Sequence, residues 1–234
     1  MPNAVITGCN SGIGHEFAKI LIGDGYTVYA LDVSSGDKLR SLEGPKCKIG
    51  QLDVSDIDSI RGFGDSLGNE PIDVLLNIAG VMPSIAKDDL DSLEMATMIK
   101  CFGVNAFGPF FLTQALLPNI LAAPAPRRVC VTSSRVGSIT DNSSGRYYSY
   151  RASKTAVNSF FKNFAVELKD KEVIVSMLHP GFTKSNLDPD DNIRKIPDAV
   201  EPVEAAEKLW KVVMSKNLDD TGKFWHREGM ELPW

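Results

Sequence analysis

Short apolar runs alternate along this chain with stretches whose apolar residues recur at helical spacing. The runs are "AVIT" (4–7), "TVYALD" (27–32), "CKIGQLD" (47–53), "DVLLN" (73–77), "RVCVTSS" (128–134) and "VIVSMLH" (173–179). Between them lie helical patterns from Gly12 to about Gly23, near 56–67, from about 90 to 122, and onward from Tyr150. The runs are nearly continuous in Val, Ile and Leu, not alternately polar, so both faces of each strand are expected to be covered. Strand and helix in regular alternation then predict an α/β fold with a doubly wound parallel sheet of about seven strands. No internal repeat appears, and "LAAPAPRR" (121–128) reads as a surface connection, so residues 1–234 are expected to form a single domain.

Composition narrows the function. At 43% hydrophobic and 24% charged residues the chain is ordinary globular material, and a net charge of -5 without Lys/Arg runs argues against a nucleic-acid or anionic-membrane partner. The pair Arg127-Arg128 is too short to form a basic patch. No apolar run is expected to reach the roughly 18 residues that span a bilayer, and "MPNAVIT" lacks a signal-peptide layout. A cytoplasmic protein acting on a small molecule is the expectation. Cys9, Cys47, Cys101 and Cys130 are widely spaced, as are His15, His179 and His226, so no metal-ligand pattern is visible.

The first strand runs into Thr7-Gly8-Cys9-Asn10-Ser11-Gly12-Ile13-Gly14, which opens the first helix. Glycines at such a turn allow positive φ and let a pyrophosphate approach the backbone, while the helix start offers free N–H groups. A glycine-rich turn with no ligand is the plain alternative. Asp32, 18 residues after Gly14 at the end of the second strand, stands where a carboxylate binds adenosine ribose hydroxyls in Rossmann-type dinucleotide sites. The same carboxylate would repel a 2′-phosphate, and no Lys or Arg occurs at 9–13 or 33–36. NAD(H) is therefore favoured, with NADP(H) possible because Lys38 or Arg40 could reach.

"SGRYYSYRASK" (144–154) crowds three tyrosines before a helix. Packing alone accounts for many such clusters. Tyr150 and Lys154, however, are four apart and share a helix face, which continues through Val157, Phe161, Phe164 and Leu168. An ammonium beside a phenol favours the phenolate, as a general acid/base near neutrality needs. Tyr147 falls in the preceding loop, and Tyr148 faces no charge.

Taken in order, these motifs resemble the short-chain dehydrogenase/reductase family in its single-domain form. They are the Thr7–Gly14 turn, Asp53-Val54, Asn77-Ile78-Ala79-Gly80, Asn105, Ser133 to Gly137, Tyr150 with Lys154, and Pro180-Gly181. The ending "GKFWHREGMELPW" looks like that of small carbonyl reductases related to the Sniffer and C-factor proteins. The resemblance implies an NAD(P)-dependent oxidoreductase that interconverts an alcohol and a carbonyl compound. It makes Tyr150 the acid/base, Lys154 its pKa depressor and ribose ligand, and Ser134 a hydrogen-bond donor to the substrate oxygen. Asn105 would support a water in the proton path. Gly8, Asn10, Ser11, Gly12, Ile13, Gly14, Asp32, Asp53, Val54, Asn77, Ala79, Gly80, Pro180, Gly181, Thr183 and Ser185 would form the cofactor site.

Two departures stand out. Ser134 and Tyr150 are sixteen positions apart, a wider spacing than the family's, which predicts an enlarged loop over the substrate cleft lined by Tyr147 or Tyr148. The family's P-G-x-V-x-T reads Pro180-Gly181-Phe182-Thr183-Lys184-Ser185, so Ser185 replaces the Thr expected to bind the carboxamide. The following "NLDPDDNIRKIPD" (186–198) predicts a short, acidic lid. A non-catalytic NAD(H)-binding module is the first rival, and would be marked by loss of Tyr or Lys. A cofactor-free halohydrin-type lyase is the second, with Tyr147 and Arg151 imitating its spacing. Finally, "FGVNAFGPFFLTQALLPNIL" (102–121) is apolar nearly all round and the Tyr150 helix adds Ala152, Ala156 and Phe160, which predicts a homodimer or homotetramer through these helices.

Overall fold

The six apolar runs become six of the seven strands in the computed structural model, which describes residues 1–234. The seven are β1 (Asn3–Thr7), β2 (Thr27–Asp32), β3 (Cys47–Gln51), β4 (Val74–Asn77), β5 (Arg127–Thr132), β6 (Val173–His179) and β7 (Lys223–His226). All pair in parallel in the order β3-β2-β1-β4-β5-β6-β7. The helices are α1 (Gly12–Gly23), α2 (Asp37–Arg40), α3 (Ile57–Leu67), α4 (Met95–Phe102), α5 (Gly108–Ala115), α6 (Leu117–Ala122), α7 (Tyr148–Leu168) and α8 (Pro202–Ser215). The sheet is doubly wound, as the continuous apolar strands required.

Alternation within each strand builds two cores. Val5, Leu75, Val129 and Val131 face α3, α5 and α7, where Ile60, Leu112, Val157 and Phe161 are buried. Ala4, Ile6, Leu76 and Cys130 face α1 and α8, against Phe17, Leu21, Leu209 and Trp210. The order in which successive strands are added reverses between β1 and β4, and the carboxyl ends of these strands open the crevice in which doubly wound sheets bind ligands.

Three local features differ from expectation. The seventh strand forms within "GKFWHREGMELPW" as a four-residue edge strand in register with β6, His179 opposite His226. Helix α7 starts at Tyr148, two residues early, after Arg146 (φ 58) and Tyr147 (φ 51) in the left-handed region. The stretch Met95–Ala115 is long and apolar enough, by length and composition, to cross a bilayer, contrary to the expectation that no run would be. One face of it packs in the core, burying Cys101, Asn105, Ala106 and Leu112 against the sheet and α7, while Met95, Ile99, Phe107 and Phe111 are exposed. A π-helical turn, Gly103–Phe107, interrupts it.

Candidate active site

The crevice is a cleft of about 1110 Å³ that runs from the β1–α1 turn to the start of α7. At one end, Thr7 Oγ1 accepts hydrogen bonds from the Ile78 and Ala79 amides, each at 3.0 Å, tying the glycine turn to β4. The approach is close: a Cβ on Gly8 would meet the Ala79 backbone at 3.0 Å, and Gly8 has φ +76. Ser11 leads into α1 with no side-chain cap, and the first turn carries no acidic residue. Its N–H groups are therefore left for an anion, and Ser11, Gly12, Ile13 and Gly14 all line the cleft. Gly12, at φ +56, faces Ser185 across the opening. This cradle fits a dinucleotide pyrophosphate.

Asp32 lines the cleft beyond the turn. Its carboxylate accepts from the Asn10 amide at 2.9 Å and from the Ser34 amide at 3.1 Å. Arg40 turns away, onto Asp37 at 2.6 Å and the Ser35 carbonyl. Asp53, Val54, Ala79, Gly80, Pro180, Gly181, Thr183 and Ser185 also line the cleft. Thr183 is buried, its hydroxyl within 3.3 Å of the Pro180 carbonyl, so Ser185 carries the more open hydroxyl of the pair.

Two expected cofactor residues lie elsewhere. Asn77 sits beneath the cleft, where Nδ2 donates to Thr113 Oγ1 and to the Cys130 carbonyl, both at 3.3 Å. It braces the central sheet because its side chain falls on the α5 face of β4. Asn10 supports the turn from behind, donating to Ser34 Oγ at 3.0 Å and accepting from the Leu39 amide at 3.1 Å.

At the other end, β5 and α7 bring Ser134, Tyr150 and Lys154 together on the cleft floor. The Lys154 ammonium donates to the Thr132 carbonyl at 2.8 Å and lies 5.8 Å from the Tyr150 ring centroid. Burial lowers Lys154 to about 8. Burial also pushes the Tyr150 phenol above its ordinary value, and the Ser134 hydroxyl beside it pulls the other way. The expectation that Lys154 depresses the tyrosine is not met in net direction, because loss of hydration outweighs the hydrogen bond with Ser134. Gly137 allows the loop after Ser134 to rest on α7: a Cβ there would meet Lys154 Cβ at 2.7 Å.

Asn105, fully buried in the π turn, does not line the cleft. Its amide is clamped to Val81, donating to the carbonyl and accepting from the amide at 2.8 Å each, and it reaches Ser153 Oγ at 3.1 Å. Ser153, which the motif reading missed, donates to the Tyr150 carbonyl at 2.8 Å. A polar residue three after Tyr150 on the buried helix face was its available signal. In the enlarged loop, Tyr147 lines the cleft with Val136, Asp141 and Ser144, whereas Tyr148 is exposed outside it. Asn186, Leu187, Asp188, Asn192, Ile193 and Ile196 form the short lid.

A glycine turn at a helix start, a carboxylate at the end of β2 and a Ser/Tyr/Lys cluster on one cleft define a nucleotide-dependent oxidoreductase of the doubly wound class. The profile of the family described as short chain dehydrogenase matches residues 2–195, and the chain belongs to that family. It is 34% identical over 176 residues to C-signal of Myxococcus xanthus, covering 75% of this chain and 100% of the relative. With 1-hydroxy-2-glutathionyl-2-methyl-3-butene dehydrogenase of Rhodococcus sp. (strain AD45) it shares 30% identity over 236 residues, covering 100% of both. Its fold matches NADPH-bound carbonyl reductase from chicken fatty liver at a TM-score of 0.89 and 25% identity, over 100% of this chain and 99% of that one. Carbonyl reductases and C-signal are thus among its relatives, as the ending of the chain suggested.

Proposed function

We propose that this protein interconverts a secondary alcohol and a ketone or aldehyde, with NAD(H) favoured over NADP(H), and with Tyr150 as the acid/base. The observation that carries this reading is the convergence of Ser134, Tyr150 and Lys154 on one end of a cleft whose other end is an uncapped helix start. The cofactor supplies or accepts the hydride. Tyr150 gives a proton to the carbonyl oxygen in reduction and takes one from the alcohol in oxidation, while Ser134 donates a hydrogen bond to the same oxygen. Burial keeps Tyr150 protonated, the form reduction needs. Lys154 favours the phenolate by its charge and holds the ribose side of the cofactor, and Asn105 fixes the adjoining segment 80–81 through Val81.

Asp32, without a cation beside it, supports NAD(H). The chicken carbonyl reductase whose fold this chain matches is bound to NADPH, so the preference for NAD(H) rests on this strand end alone. Small-molecule substrates, no nucleic-acid or membrane partner, and a cytoplasmic setting complete the reading. Retention of both Tyr150 and Lys154 weighs against a non-catalytic module, and the intact glycine turn weighs against a halohydrin-type lyase. Half-buried Phe110, Phe160 and Phe164 and exposed Phe107 and Phe111 form one aromatic patch across α5 and α7, which supports a homodimer or homotetramer. Quenching of Trp and Tyr fluorescence by NAD(H) and NADP(H), followed by an alcohol and carbonyl panel read at the reduced-nicotinamide band, tests the proposal. Binding without turnover would favour the non-catalytic module, and neither would refute the reading.

A further inference from the structure

We propose that Asp88 is a positioning residue for the catalytic tyrosine: its buried carboxylate grips the first turn of α7 and so sets where the Tyr150 hydroxyl lies. The inference rests on the assignment of Tyr150 as the acid/base.

Asp88 is 0% exposed and has no Lys, Arg or His partner in an ion pair. Its two oxygens accept from two successive backbone amides, Ser149 at 2.7 Å and Tyr150 at 3.1 Å. A carboxylate buried without a cation is costly unless such donors satisfy it, and here the positive end of the helix supplies them. The helix needs this help. Its N-cap position is held by Tyr147, which makes no side-chain cap, and its first turn carries no acidic residue. Side-chain capping uses an extended N-cap backbone, and Tyr147 is left-handed. Tyr147 instead lines the cleft, and the cap comes from a residue 61 positions away.

The surroundings explain why the grip must be firm. Arg146 and Tyr147 enter the helix in the left-handed region, which side chains other than glycine adopt only where neighbours hold them. Asp89 holds the outer side of this bend, its Oδ2 accepting from Arg146 Nη2 at 2.7 Å and Nε at 3.0 Å. Asp88 holds the inner side. The segment carrying both is itself tied to the lid, where Ile85 N donates to Asp190 Oδ2 at 2.7 Å. Because one of the two amides that Asp88 holds belongs to Tyr150, a shift of the carboxylate moves the first turn of α7 and with it the reacting phenol relative to Ser134.

Asp88→Asn keeps the shape and one acceptor but sets an NH₂ group against a backbone N–H. The expected result is a kcat lower by roughly 10- to 100-fold, the scale of an ångström's misplacement, with cofactor affinity by fluorescence quenching unchanged. Amide hydrogen exchange at Ser149 and Tyr150 should quicken while mid-helix amides at 157–161 do not. Asp89→Ala, which removes the Arg146 pair and the acceptor of the Leu90 amide but touches neither Ser149 nor Tyr150, should lower kcat less than Asp88→Asn does. An Asp88→Asn enzyme with normal kcat and a lowered Tm would overturn the proposal, because the carboxylate would then serve stability alone. Should Asp88→Asn not fold, Asp88→Ser, a shorter hydroxyl in place of the acceptor, is measured in the same way, and failure of both to fold also overturns it. A wild-type enzyme inactive on every alcohol and carbonyl would refute the Tyr150 assignment itself, and this proposal with it. An active wild type with an unaltered Asp88→Asn refutes only the latter.

Discussion

Replacing Asp32 with Asn removes one negative charge from the adenosine end of the cleft and keeps an acceptor for the Asn10 amide, now 2.9 Å from the carboxylate. A carboxylate and one phosphate charge ~4 Å apart repel by about 4 kcal/mol at an effective dielectric near 20. Asp32 is half-buried and open to salt, so the operative value is nearer about 2 kcal/mol, roughly a 30-fold handicap for NADP(H). Arg40 does not offset it, because it is engaged by Asp37 and the Ser35 carbonyl. Asp32→Asn should therefore raise kcat/KM for NADP(H) by roughly 10- to 30-fold relative to NAD(H) without any new contact. Adding Val33→Arg at this exposed position gives the phosphate a charge-assisted partner, worth a further ~1.5–3 kcal/mol. Initial rates with each cofactor, on one substrate at one ionic strength, give the ratio directly. A wild type that already prefers NADP(H), or an Asp32→Asn ratio equal to wild type, would refute the electrostatic reasoning.

Other expectations follow from the same geometry. Lys154 is lowered to about 8, so its positive charge is lost as pH rises through that value. The kcat/KM profile should fall above it, and a profile flat to about pH 10, near the ordinary lysine value, would exclude a role for the ammonium. His179 is buried and lowered to about 3, by loss of hydration first and His226 next. The unfolded chain takes up that proton near the ordinary ~6.5, so stability should drain away by several kcal/mol as pH falls from there toward 3. His179→Leu should flatten that part of a denaturant-midpoint series, and identical slopes would contradict the assignment. Phe160→Glu, placed in the aromatic patch, should convert a dimer to a species near 25.5 kDa by light scattering. A wild type already at that mass would remove the dimer.

Local pattern carried most of the fold. Buried parallel strands are continuous in apolar residues, so β1 to β6 were legible within a few positions. Strand β7 was not, because Lys223–His226 is short and is fixed by pairing with β6 on one side and the 230–232 segment on the other. Ordered motifs likewise located the two ends of the cleft, since glycine turns and a Tyr–Lys pair on one helix face are local signals. What a side chain meets across the fold was invisible. The amide of Asn77 turns under the sheet, Asn105 spends its hydrogen bonds on Val81, and Asp88 caps a helix 61 residues away. The phenol of Tyr150 failed for another reason: spacing reveals that Lys154 shares its helix face, but the dehydration that raises the phenol depends on everything packed around the ring.

The central claim is that one phenol moves the proton, and Tyr150→Phe addresses it by deleting a single oxygen while the ring stays packed. Turnover of an active substrate is measured alongside cofactor affinity by fluorescence quenching. The predicted result is a kcat lower by roughly 10²–10⁴-fold with cofactor affinity and fold intact. Near-normal turnover in Tyr150→Phe would contradict the account, and an equal loss in Tyr147→Phe would return the proton to the loop tyrosine that lines the same cleft.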